Sequence, residues 1–160
     1  MKRLEATSIY TLGDYYGGVG LRDLCHAVKN RDWKAIDTAA KRLAPLIPKD
    51  AVLVPICATN HYTDYIASSI HSLRADTKVS YCLDSRRDGS IYNLKKAGLV
   101  PTEKDCMFYV ANGAVPQGRL VLIDNVIATG TTVSAALRAI GRDCVVACIA
   151  VDYSTYNNNK

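Results

Sequence analysis

"LVLIDNVIATGTTVSAALRAIG", Leu120 to Gly141, holds an apolar run, an acid beside an amide, and a threonine-rich turn that opens into a helix. Leu120–Ile123 carries no polar residue, the mark of a strand buried on both faces of a parallel sheet. Such a strand delivers its first polar side chains, Asp124 and Asn125, at its exposed end. Ala128, Thr129, Gly130, Thr131 and Thr132 are small, and a helix from Thr132 to about Ile140 follows. The start of that helix leaves backbone N–H groups without acceptors, and the helix dipole reinforces them. With the threonine hydroxyls they make a cradle for phosphate, and Gly130 lets the turn tighten around a ligand. The plainer alternative makes Thr131 or Thr132 an N-cap and Asp124 a turn residue, but the combination is richer than capping requires.

Outward from this unit the pattern alternates strand and helix. "AVLVPI" (Ala51–Ile56), "KVSYCL" (Lys78–Leu83), "CMFYV" (Cys106–Val110), "RLVLIDNV" (Arg119–Val126) and "CVVACIAV" (Cys144–Val151) are short apolar runs. Ile66, Ile70 and Leu73 mark a helix between the first two runs, and Ile91, Leu94 and Lys95 a shorter one ending at Gly98. This order predicts an α/β fold, a five-stranded largely parallel sheet flanked by helices. Ahead of it, "ATSIYTLGDYY" looks extended. Leu21, Leu24, Cys25 and Val28 predict one amphipathic helix; Asp32 caps a second that Pro45 and Pro48 end. One domain spanning 1–160 is expected, with a helical N-terminal extension or hood (1–48) on a core (51–153). The tail "YSTYNNNK" looks frayed.

Bulk properties narrow the function classes. The net charge of +5 suits anionic ligands but is too small and dispersed to argue for nucleic acid. No apolar run has the length of a membrane span, and the start lacks the apolar centre of a signal peptide, so the expectation is a cytoplasmic protein. The six cysteines form no C-x-x-C and sit mostly in apolar runs, as reduced buried thiols do. The three histidines lack metal-ligand spacing. "GGVGLRD" (Gly17–Asp23) lacks the third glycine of a dinucleotide fingerprint, and no P-loop is present.

Ligands in open α/β sheets gather beyond the carboxyl ends of strands. That rule nominates Cys57–His61, Asp84–Ser90, Asp124–Thr132 and the residues after Val151. In the third of these, "VLIDNVIATGTT" resembles the phosphoribosyl-pyrophosphate signature of the type I phosphoribosyltransferases: apolar run, two acids, two apolar residues, a small Thr-Gly turn and a further threonine. The resemblance implies a parallel five-stranded fold with a hood. It implies transfer of a phosphoribosyl group between 5-phosphoribosyl 1-pyrophosphate (PRPP) and a nitrogenous, nucleobase-like acceptor, with Mg2+.

Carried over residue by residue, Asp124 would hold ribose hydroxyls, and Ala128, Thr129, Gly130, Thr131 and Thr132 the 5-phosphate. Ala58, Thr59 and Asn60, after the first core strand, would bind pyrophosphate. Arg86 and Arg87, in a basic loop that also leads to Lys95 and Lys96, would neutralise the leaving group. Asp152 and Tyr153 would meet the acceptor. Asn125 stands where the family most often has a second acid; it can hydrogen-bond but cannot take a proton. A non-catalytic sensor of PRPP or a nucleotide on the same fold is the alternative that Asn125 favours. The basic stretch and "YNLKK" ahead of the signature resemble the ComF-like branch. The amphipathic leading helices suggest a homodimer.

Overall fold

The computed structural model describes residues 7–18 and 20–158, apart from the side chain of Asn112. Ala6 of the extended segment, Val19 of the Gly-rich turn, and Asn159 and Lys160 of the tail lie outside the described residues. The first elements are β1 (Ile9–Thr11), α1 (Leu21–Lys29), α2 (Trp33–Leu43), β2 (Ala51–Pro55), α3 (Tyr62–Leu73) and β3 (Lys78–Val79). There follow β4 (Leu83–Ser85), α4 (Ile91–Lys96), β5 (Phe108–Val110), β6 (Arg119–Ile127), α5 (Thr131–Ile140), β7 (Cys144–Val151) and α6 (Tyr153–Asn158). Five strands make one parallel sheet in the order β1-β7-β6-β2-β3.

The apolar runs become strands because both sheet faces are covered. Val121, Ile123, Ala147 and Ile149 join the core formed with α1, α2 and α3. Leu120, Leu122, Val146 and Cys148 join the opposite core, with Val133, Ala136, Leu137 and Ile140 of α5. The leading helices belong to the first core through Leu21, Cys25, Val28, Ile36, Ala39, Ala40 and Leu43. Asp32 caps α2, its Oδ1 accepting from the Ala35 N–H at 3.1 Å. On the other side of the sheet, Gly141 in the left-handed region (φ 72°) ends α5.

Membership of the sheet differs from the sequence expectation in two places. Cys106–Val110 is not a member: Phe108–Val110 pairs antiparallel with Leu83–Ser85 in a separate two-stranded ribbon. Its residues are only half-buried, and Met107 just ahead of it turns the chain with φ 52°. The expected strand Lys78–Leu83 accordingly splits between sheet edge and ribbon. The fifth place in the sheet is taken by Ile9–Thr11, which pairs with Val146–Cys148. The tail is also ordered, as Tyr153–Asn158 is helical and buries Tyr156 against the second core.

In the chain between β3 and β6, the ribbon packs against α5, and Ile91, Lys95 and Pro101 face the turn that precedes it. Pairing at the β1 edge continues past the strand, where the Leu12 N–H donates to the Ile149 carbonyl at 3.2 Å. Leu12→Pro removes that donor and should cost ~1–3 kcal/mol beyond Leu12→Ala in urea unfolding. Equal losses for the two variants would show that the β1 edge contributes nothing to the sheet.

Candidate functional site

The end of β6 and the start of α5 form one wall of a cleft. Asp124, Val126, Ile127, Ala128, Thr129, Gly130, Thr131, Thr132 and Val133 line it, and Ile91, Lys95 and Pro101 line the facing side. The acid and the small-residue turn named from the sequence therefore open into the same space. Gly130 precedes α5 with φ 84°, a conformation that strains any residue with a Cβ. The helix begins at Thr131, one residue earlier than expected, and neither threonine caps it. Instead the Thr129 hydroxyl lies 2.9 Å from the Thr131 hydroxyl and accepts from the Thr131 N–H at 3.3 Å. The Thr132 and Val133 N–H groups follow in the first turn, where a helix supplies no acceptor of its own.

Asp124 is only 8% exposed. Its Oδ1 accepts from the Asn125 N–H at 2.7 Å. Burial pushes the carboxyl up to about 7, against the opposing pull of that N–H. A carboxylate that is costly to ionise in the free protein gains from any donor, such as a sugar hydroxyl, that reaches it.

Asn125 serves differently. Its Nδ2 donates to the Cys25 carbonyl of α1 at 3.1 Å, while its Oδ1 is buried without a partner among the described residues. The β6–β7 register runs from Asp124↔Cys148 to Val126↔Ala150 without pairing Asn125. The amide thus ties the strand end to the leading helix. An aspartate could not donate to that carbonyl.

Ala58, Thr59 and Asn60 lie in the loop after β2, beside the end of β6. His61 closes that loop with φ 56° and donates its N–H to the Ala58 carbonyl at 3.0 Å. The Thr63 hydroxyl donates to the Ile56 carbonyl at 2.6 Å and fixes the loop base. Thr59 and Asn60 are exposed; the Asn60 Nδ2 donates to the Lys29 carbonyl at 3.4 Å.

Arg86 and Arg87 do not line the cleft. The Arg87 guanidinium donates to the carbonyls of Gly89, Asp105 and Ser90 at 3.0, 2.8 and 2.9 Å, holding its loop against the ribbon. Arg86 sits over the Tyr109 ring at 4.3 Å. Asp152 is also engaged. It accepts from the Ser154 hydroxyl at 2.6 Å, the Thr155 N–H at 3.1 Å and the Thr155 hydroxyl at 2.7 Å, capping α6. Desolvation opposes ionisation of Asp152, but these hydrogen bonds outweigh it and hold the carboxyl low. Tyr153 is exposed and, like Asp152, lies outside the cleft lining. Lys95, to which the basic loop leads, does line the cleft.

Among the described residues no cluster of three or more His, Cys, Asp or Glu side chains could hold a metal. The one acid of the cleft, Asp124, fits a Mg2+ that arrives with phosphate oxygens and keeps waters, not one caged by protein. All six cysteines are free and five are buried; burial pushes the Cys25 and Cys57 thiols up to about 12. Among the described residues no helix is long and apolar enough to cross a membrane.

No family model and no curated protein matches the chain. Solved structures similar to it at low identity include the following two. One is a purine phosphoribosyltransferase from Pyrococcus horikoshii Ot3, with TM-score 0.44 and 18% identity over 74% of this chain and 75% of that one. The other is an adenine phosphoribosyltransferase from Thermoanaerobacter pseudethanolicus ATCC 33223, with TM-score 0.46 and 15% identity over 76% of this chain and 82% of that one.

The electrostatics of the strand end set two tests. Because folding raises the Asp124 pKa, the folded chain holds more protons than the unfolded chain between about pH 4 and 7. Its contribution to stability is therefore present at low pH and falls as pH rises through that window. Relative to wild type, Asp124→Asn should gain stability from pH 4 to pH 8, by at most roughly 4 kcal/mol. A pH-independent difference in urea unfolding would contradict a buried, protonatable carboxyl. Asn125→Asp places an anion against the Cys25 carbonyl and should cost ~2–4 kcal/mol at pH 8, less at pH 5, where a protonated acid can donate.

Proposed function

We propose that the chain is a phosphoribosyltransferase that uses PRPP and Mg2+ to transfer a phosphoribosyl group to or from a nitrogenous, nucleobase-like acceptor. The observation that carries this is the shared cleft: a buried acid and a phosphate-type turn stand on consecutive segments of one strand–turn–helix unit. A ribose 5-phosphate laid there would set its phosphate on the N–H groups and hydroxyls of Ala128–Thr132, and its ring hydroxyls at Asp124. The carboxyl accepts from those hydroxyls and becomes easier to ionise as it does. Displacement at the anomeric carbon passes through a cationic, oxocarbenium-like state, and an ionised Asp124 beside the ring would stabilise it. When bound, Mg2+ supplies charge neutralisation for the departing diphosphate. The protein's part is to orient the sugar and to keep water from its reacting carbon. The basic loop and "YNLKK" ahead of the signature support a place in the ComF-like branch.

Asn125 supports a second reading, a PRPP or nucleotide sensor without turnover. Its amide is engaged with the Cys25 carbonyl and leaves the cleft one acid short of the family pattern.

A pyrophosphate-release screen across nucleobases and amines, with Asp124→Asn alongside, separates the two. The transferase releases pyrophosphate with at least one acceptor, and Asp124→Asn lowers the rate at least ~100-fold. Calorimetric binding of PRPP without release by any acceptor would favour the sensor. Turnover indifferent to Asp124→Asn would remove the site from the cleft described above.

A further inference from the structure

Arg87 is engaged by three carbonyls and Arg86 lies over the Tyr109 ring, so a cation from another element is better placed to face a leaving diphosphate. One side chain is placed for it by contacts the sequence does not reveal. Lys29 ends α1, and its ammonium lies 5.2 Å from the centre of the Tyr92 ring on α4. Lys96 lies 5.8 Å from the same ring. Ile91 and Lys95, on the same short helix as Tyr92, line the cleft. The main-chain carbonyl of Lys29 accepts from the Asn60 Nδ2 at 3.4 Å, so the end of α1 adjoins the loop after β2. Lys29 therefore stands between the 58–60 loop and the rim of the cleft.

Sheet geometry brings the 58–60 loop to the same place. Strand β2 neighbours β6, about 4.8 Å away, so the loop after β2 lies beside Asp124. A ribose laid with its 5-phosphate at Ala128–Thr132 and its hydroxyls at Asp124 would have that neighbouring strand end within reach of its diphosphate. Among the described residues none of Lys29, Lys95 and Lys96 pairs with a carboxylate. The exposed ammonium groups of Lys29 and Lys96 share one tyrosine ring and repel one another, Lys95 lines the cleft from the same short helix, and a multiply charged anion would relieve that repulsion.

We propose that Lys29 of the leading helix, backed by Lys95 and Lys96, binds the diphosphate end of PRPP. This rests on the phosphoribosyl reading of the cleft. Calorimetry with PRPP and with ribose 5-phosphate, in magnesium buffer, on wild type, Lys29→Ala and Lys29→Arg tests both. The exposed position of Lys29 leaves folding intact, which matched thermal unfolding of the variants checks. Lys29→Ala should weaken PRPP at least about tenfold and leave ribose 5-phosphate unchanged, with Lys29→Arg recovering most of the loss. Unchanged PRPP affinity, or equal weakening of both ligands, would overturn the assignment of Lys29. Wild-type protein that binds neither ligand would overturn the phosphoribosyl reading itself, and this proposal with it.

Discussion

Everything at the cleft depends on a carboxyl group held out of water at the end of a strand. Leu120–Ile123 must be buried on both sides for the sheet to form, and their burial carries Asp124 with them into a place where ionisation is costly. The free protein meets that cost partly by protonation and partly through the Asn125 N–H. What remains is a carboxyl with unused acceptor capacity facing a cleft. The same constraint explains why the adjoining turn is built from small residues: the backbone has to leave a buried strand, reverse, and start a helix within a few residues, and Gly130 takes the conformation that makes this feasible.

Asp124 and Asn125 look like a pair in the sequence and behave as two separate devices. The acid lines the cleft, whereas the amide reaches across to the Cys25 carbonyl and anchors α1. That division gives the amide at position 125 a physical cause, because only a donor suits a buried carbonyl.

How much was legible follows from how local each signal is. Strands β2, β6 and β7 announce themselves as apolar runs since both faces are covered, and the small-residue turn is contained in five consecutive residues. By contrast β1 is a three-residue edge with one side half-exposed, which reads as extended but not as a sheet member. "CMFYV" has strand composition whether it joins a sheet or a ribbon, and composition does not choose the partner. Arg87 and Asp152 were chosen for their chemistry. The carbonyls and hydroxyls that engage them come from turns whose geometry no periodicity encodes. Lys29 meets Tyr92 only once α1 and α4 have folded to the same end of the sheet.

One consequence of the α1 position concerns what counts as the functional unit. Cys25 and Lys29 stand one helical turn apart, the first receiving the Asn125 amide and the second reaching the rim beside Tyr92. A fragment begun at Ala51 would keep the acid and the small-residue turn of the cleft. It would expose Asn125 and lose both the β1 edge and the helix that receives the Asn125 amide. The strand end that presents the acid therefore depends on chain that precedes the first long core strand.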